Sequence, residues 1–295
     1  MADATYFNVN GQSLLVKDAE ARAKATEALG KDEILYQLAL GIYEGRSLAS
    51  QFASEILDYN GDEAAWFNAR IVAGDFDGIY PFDYFDVSLT DGKVFRYRVA
   101  AIDPYLHACD QEITTHHAIM VPDQVWPDSV PWNTTNVNQG TSSEKHPYLV
   151  SNLHNWEKNT FLALVPTKWK NVLANHRALL EERYTSGSTL TDSNSWSWAD
   201  LGKIFSLSET EVYGEVVCGT KQFSKGFDCH FSEFFKNTKH RIRRNAAESR
   251  YSWWLRAASG GSSTYACNVR GNGDAFAYAA SDAGFRPLPC FRVGV

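Results

Sequence analysis

The sequence predicts an α+β fold, and three features carry that expectation. Apolar residues recur at helical spacing in several stretches, alternating runs flank an Asp-Gly turn, and long irregular segments rich in Trp and Gly separate them. The expected architecture has few strands, two or three helices and long ordered loops, preceded by a mostly helical N-terminal segment. Ordered loops of that length in compact domains are usually functional. The division expected is 1–72 for the N-terminal segment and 73–295 for the main domain.

Taken in order, Tyr6 to Gln12 reads as a strand and a turn, because Asn10-Gly11 favours a tight reversal, and Leu14-Leu15-Val16 continues as a second strand. Asp18 is placed to open a helix over Ala19–Leu29 that Gly30 ends. That helix has few large apolar residues and is expected to pack on a sister chain or stay mobile. Ile34, Leu35, Leu38 and Ile42, then Phe52, Ile56 and Leu57, keep helical spacing, divided by Gly41, Gly45 and Asn60-Gly61. Val87 to Leu89 and Val94 to Val99 alternate around Asp91-Gly92, which predicts a hairpin. Asn133 to Pro147 reads as a polar surface loop. Helical periodicity predicts helices over Trp169–Tyr184 and Trp198–Phe205, and Glu211 to Gly214 reads as strand or turn. Cys290 to Val293 is a final strand. No repeat of 20–50 residues is found.

Composition narrows the function classes. With 295 residues, 44% hydrophobic and 21% charged, the chain can bury a sizeable core, which excludes disorder. The net charge of −7 argues against general nucleic-acid binding. No apolar run is long enough to span a membrane, and the N-terminus lacks the basic-then-apolar order of a secretory signal. Folding in a cytosol is therefore expected, and so are five free, mostly buried thiols, since no pair is spaced C-x-x-C.

No catalytic residue and no resident cofactor are expected. No G-x-S-x-G, P-loop or dinucleotide fingerprint is present. His107, Cys109, Asp110, His116 and His117 cluster without zinc-site spacing and read as structural groups. Asp75, Asp77, Asp83 and Asp86 have the composition of a calcium site but not the spacing of an EF-hand loop. Cys267 and Cys290 have apolar flanks and read as core thiols. The basic run from Lys236 to Arg244 reads as a solvated or internally paired face, and Trp196, Trp198, Trp253 and Trp254 as core.

The tail is different in kind. Lys, Glu, Gln, Met and Trp are all absent from the 39 residues 257–295, although the chain holds nine Trp. Randomising the first two bases of Asn codons that end in a pyrimidine reaches fifteen amino acids and excludes those five together with the stop codons. Residues 265–284 mix Asp, Phe, Tyr, Arg and Ala without the period of a core strand. A surface sampled for binding would look like this: Tyr and Phe supply rigid contact area while Asn, Ser and Gly adapt.

Ser252-Trp-Trp-Leu-Arg-Ala-Ala-Ser-Gly260, Ala266-Cys-Asn-Val269, Asn272-Gly273 and the closing Gly284-Phe-Arg-Pro-Leu-Pro-Cys-Phe-Arg-Val293 resemble the C-terminal segment of variable proteins diversified by retroelements. More closely, they resemble an uncharacterised domain family of gut bacteria and their phages that this machinery often targets. The likeness continues upstream through Asp83-Tyr-Phe-Asp86, Tyr97-Arg-Val99, His116-His117, Glu181-Glu-Arg-Tyr184, Ser195 to Lys203 and Glu209-Thr-Glu-Val-Tyr-Gly214, covering about residues 73–295. The resemblance implies a C-type-lectin-like domain related to the formylglycine-generating-enzyme scaffold, with ligand binding through a variable region of about 257–295. Some C-type lectins bind calcium, so calcium is the one ion the resemblance brings into consideration. The opening Phe7-Asn-Val-Asn-Gly11 and Leu15 to Arg22 are similar to the start of many phage tail-fibre proteins, which implies attachment to a virion and self-association, with a trimer favoured.

The expected function is a phage-type receptor-binding or adhesion protein, carried on a virion or on a bacterial surface, that binds a bacterial surface protein or glycan. Tyr265, Phe276 and Tyr278 are the expected anchors, and Arg270, Asp274 and Asp282 supply charge at the rim. Ser281 is a further contact, and Asn268 and Asn272 are contacts that read equally as unmutated template positions or turn residues. If 274–279 is extended, Ala275, Ala277 and Ala279 point inward and their larger neighbours outward. The alternatives are an enzyme on the same scaffold, acting on cell-wall glycan or cysteine, and an inert virion module.

Overall fold

The computed structural model describes residues 5–9, 12–16, 19–221 and 228–295. The chain divides into two units, residues 1–44 and 45–295.

In the first unit, β1 (Thr5–Val9) and β2 (Gln12–Val16) pair antiparallel with Thr5 opposite Val16, as expected. The Asn10-Gly11 turn and Asp18 lie outside the described residues. Helix α1 runs from Ala19 to Leu40, straight through Gly30, where the sequence predicted an end. A mid-helix Gly costs only about 1 kcal/mol, which the strong helix formers on both sides offset. Leu29, Leu35, Tyr36 and Leu40 of α1 are exposed.

The second unit begins with three short helices, α2 (Leu48–Gln51), α3 (Ala53–Leu57) and α4 (Glu63–Val72). Asn60 and Gly61 both take positive φ in the turn between α3 and α4, and the Asp62 carboxylate caps α4 by accepting from the Ala64 and Ala65 N–H groups. These helices are part of the main core. Phe67 packs edge-on against Phe85 at 5.1 Å, and Leu48, Ile56, Trp66 and Ile71 belong to the same cluster as Tyr97, Trp169 and Phe291. The contacts thus set the boundary at 44/45, where the sequence predicted 72/73. Amphipathic helices with large apolar residues are stabilised by tertiary packing, and this core supplies it.

The central sheet is antiparallel and curls into a half-barrel. Its strands are β3 (Tyr84–Ser88), β4 (Val94–Ile102), β5 (Ala118–Pro122), β6 (Leu173–Ala174), β9 (Ile204–Phe205) and β15 (Cys290–Val293). The expected hairpin joins β3 to β4, with Gly92 at φ 86° in its turn. The last strand lies inside the sheet: β15 pairs with β5, β6 and β9, so Phe291 and Val293 enter the core beside Met120.

Several local expectations are corrected. Trp169–Tyr184 forms only one turn of helix, α7 (Thr167–Lys170), and then β7 (Arg177–Glu182). Trp198–Phe205 lies in β8 (Ser195–Asp200) and β9 instead of a helix. Antiparallel pairing of β7 with β8 decides both, since Ser-Trp-Ser-Trp also fits a strand period of two. Glu209–Tyr213 is a helix, α8, where strand or turn was expected. Its signal is local: Ser208 and Glu211 form a capping box, and Gly214 ends the helix at φ 82°. The segment Asn152–Leu164, capped by Ser151, is helical throughout as α5 (Asn152–Trp156), a π turn and α6 (Leu162–Leu164). Just before the basic run lies a short helix, α9 (Ser232–Phe235), followed by a two-stranded ribbon of β10 (Arg243–Arg244) and β11 (Arg250–Tyr251). With thirteen strands among its described residues, the second unit has more than the few strands expected, because much of the irregular Gly- and Trp-rich sequence is short paired strand.

A separate three-stranded sheet, of order β12 (Trp253–Ala258), β13 (Tyr265–Val269) and β14 (Ala275–Ala279), carries the unusual tail.

Deleting residues 1–44 is expected to leave the melting transition of the remainder in place. Deleting 1–72 removes Trp66, Phe67 and Ile71 from the core and is expected to abolish cooperative melting by circular dichroism. A cooperative, equally stable 73–295 fragment would contradict this boundary.

Candidate binding surface

The three-stranded sheet β12–β14 is fastened by buried polar groups. Trp253 and Trp254 are fully buried, and the Trp254 indole donates to the Val130 carbonyl at 3.0 Å. The Trp132 indole donates to the Leu255 carbonyl at 3.1 Å. Arg183, fully buried, pairs with Glu181 at 2.8 Å and donates to the Ser259 and Ser262 carbonyls in the β12–β13 turn. Glu181 in turn accepts from the Ala258 N–H. Asn138 reaches the Ser262 and Tyr265 carbonyls from the polar loop 133–147, so this loop is partly a buried strut. Sequence reasoning missed these supports as a group; the Glu181-Glu-Arg motif was the visible trace.

Within β12, Arg256 lies between two carboxylates. It meets Glu211 of α8 at 2.6 Å and Asp228 at 2.9 Å. Burial alone would lower the guanidinium, but Asp228 and Glu211 outweigh it and hold it above its ordinary range. Tyr105 donates its hydroxyl to Glu211 at 2.5 Å. Glu209 accepts from the Val217, Cys218 and Gly219 N–H groups. This hydrogen-bonding fixes the turn 217–219, while burial pushes the Glu209 carboxyl up.

Above this base stands an aromatic row. The Tyr265 and Tyr278 rings stack at 6.2 Å, and each residue is 43% exposed. Tyr278 is also 6.3 Å from Phe276 and 5.6 Å from Phe285, and Phe285 stacks at 4.3 Å on buried Trp254. The Arg270 guanidinium lies 3.5 Å over Phe276. Phe285 is a member that sequence reasoning missed; its place between Gly284 and Arg286 gave no periodic signal.

The other expected residues divide by environment. Arg270 and Asp274 close the β13–β14 turn through Arg270 N–H to Asp274 O at 2.8 Å, and the exposed Asn272 amide donates to the Asp274 carboxylate at 2.6 Å. Ser281 donates to Asn136, and Asp282 accepts from the Gly284 N–H. Both are half-buried on the loop beyond β14. Asn268 departs from the expected surface set. It is fully buried, and neither its amide nitrogen nor its oxygen has a partner among the described residues. The expected alternation along 275–279 is only partial, because the three alanines are half-buried, as is Phe276.

Elsewhere, candidate metal and nucleophile residues are engaged with their own chain. Asp75 pairs with Arg70, Asp83 with Arg46 and Asp86 with Arg96. His116 meets Asp103 at 2.5 Å, and Asp110 meets Arg177 at 2.5 Å. Burial pushes the His117 imidazole down to about 4, so the ring is neutral at pH 7. Cys267 and Cys290 are fully buried and burial pushes both thiols well up, while Cys109, Cys218 and Cys229 are half-buried. In the basic run, Arg241 lies over Tyr213, and buried Arg243 lies over Phe234 and Phe235. Trp196 and Trp198 are half-buried, outside the core where they were expected. No described helix is long and apolar enough to cross a membrane.

Asn268→Leu replaces an unpartnered buried amide with an apolar group of similar size. It is expected to raise unfolding stability by about 1 kcal/mol in chemical denaturation. A loss of that size would show that the amide is satisfied in solution.

No curated protein and no solved structure matches the chain. A family model described as a domain of unknown function, DUF6273, matches residues 118–293, from the central strand β5 to the final strand β15. That match spans more than half of the sequence, and the chain belongs to this family.

Proposed function

We propose that the protein is a ligand-display module of a phage-type receptor-binding or adhesion protein, with residues 257–295 as its diversified surface and a bacterial surface molecule as its ligand. The observation that carries this reading is the row of Tyr265, Tyr278 and Phe276 with Arg270, partly exposed on the last hairpin of a sheet whose base is buried and polar-bonded. Aromatic and Arg side chains on a rigid support are the groups that dominate binding energy at interfaces. The coding exclusion of Lys, Glu, Gln, Met and Trp covers the same hairpin. In this reading the domain is C-type-lectin-like, and residues 1–44, with Leu29, Leu35, Tyr36 and Leu40 exposed on their helix, serve attachment to a virion and self-association. The raised thiols of Cys267 and Cys290 support binding over cysteine chemistry, because a nucleophilic cysteine needs a lowered pKa.

The test is binding of fluorescently labelled full chain to a panel of intact bacterial strains by flow cytometry. A subset of strains is expected to bind, and the double variant Tyr265→Ala, Tyr278→Ala to weaken binding by about thirtyfold or more with an unchanged melting transition. Undiminished binding by the double variant, or binding to no strain, would contradict the reading.

A further inference from the structure

The hydrogen-bond parity of the last hairpin defines an open edge. Register pairs Tyr265 with Ala279 and Val269 with Ala275. Beyond the strand ends, Arg270 donates to Asp274 and Ala280 donates to Thr264. In an antiparallel ladder bonded and non-bonded pairs alternate, so Asn268 with Phe276 and Ala266 with Tyr278 are the bonded pairs. Tyr265 confirms the alternation from the other side, since its carbonyl accepts from Ser259 toward β12. The N–H and C=O groups of Ala275 and Ala277, and the N–H of Ala279, therefore point away from β13. The Ala279 carbonyl accepts from the Asp282 N–H. The other five groups have no partner among the described residues, and β14 pairs with no strand but β13.

Natural sheets blunt such edges with Lys, Pro, bulges or a covering element. β14 is Ala-Phe-Ala-Tyr-Ala: it carries no charge, proline or bulge, and its side chains are small on one face and aromatic on the other.

We propose that the free edge of β14 docks an extended segment of another polypeptide as a fourth strand of the sheet. This rests on the display reading and narrows its ligand from a protein or a glycan to a protein segment. Alternating unpaired donors and acceptors at strand spacing match a peptide main chain, which a sugar does not reproduce. Phe276 and Tyr278 lie one strand-width from the incoming residues on their face, where aromatic and β-branched cross-strand partners add stability. A second copy is the weaker occupant. Two five-residue edges bearing alanine cover far less than the roughly 800 Å² per partner of a stable interface.

The experiment pans a displayed library of short random peptides on the full chain. Selected peptides are expected to lose about tenfold or more in affinity when N-methylated at alternate residues, and little at the residues between. On the protein, Ala277→Pro removes an outward N–H without touching the ladder to β13, as edge strands tolerate. It is expected to give the same loss with an unchanged melting transition. Independently of any variant, amide exchange at Ala275, Ala277 and Ala279 is expected to slow on peptide binding. Selection of no peptide, peptides indifferent to methylation and to Ala277→Pro, or concentration-dependent dimers that mask these amides would each overturn the proposal. Binding that Tyr265→Ala, Tyr278→Ala abolishes while Ala277→Pro and methylation leave it intact would retain the display reading and reject strand addition. Indifference to all of these changes would reject both.

Discussion

Arg256 is the charge around which the sheet of β12, β13 and β14 is held. It sits on β12, 3% exposed, with its guanidinium between Glu211 and Asp228 and its N–H bonded to the Leu207 carbonyl. A buried ion pair is stable only when geometry and added hydrogen bonds offset desolvation. Here Tyr105, the Ser208 N–H and the Ser206 carbonyl complete the set. Glu211 plays two parts at once, capping α8 and receiving Arg256, so helix and sheet share one carboxylate. Losing either partner would leave an uncompensated charge in the interior, at a cost of about 3–5 kcal/mol.

This arrangement separates the residues that hold the hairpin from those that face outward. Arg183, Glu181 and Asn138 secure the turn between β12 and β13, and Trp254 secures the sheet through Val130 and Phe285. On this hairpin, the side chains of Tyr265, Arg270 and Tyr278 contact mainly aromatic rings of the tail itself. A change at such positions alters the surface with little effect on folding. Asn268 marks the limit of that freedom, because it has the composition of the tail and the burial of the core.

What was legible in the sequence follows how local each signal is. The β3–β4 hairpin was readable because Asp91-Gly92 and the flanking alternation act within a few residues. The final strand was readable from its apolar run, but its place between β5 and β6 depends on partners more than a hundred residues away. Helices were predicted over β7, β8 and β9 because aromatic and aliphatic residues there satisfy both periods, and only pairing decides between them. The capping box at Ser208 is an equally local signal, and it starts α8. For the site, exposed Tyr265 and Tyr278 could be named from composition. Phe285, Asn136 and the supporting Arg183 could not, since only three-dimensional neighbours reveal them.

The central proposal is that the tail hairpin varies while its support does not. Sequencing this locus across a natural population tests it directly. The account predicts substitutions concentrated at adenine-derived codons between Tyr265 and Ala283, beside a reverse transcriptase and a near-copy template. Trp253, Trp254, Arg256, Arg183 and Glu211 stay constant in that outcome. Variation spread evenly along the chain, with no template nearby, would contradict it.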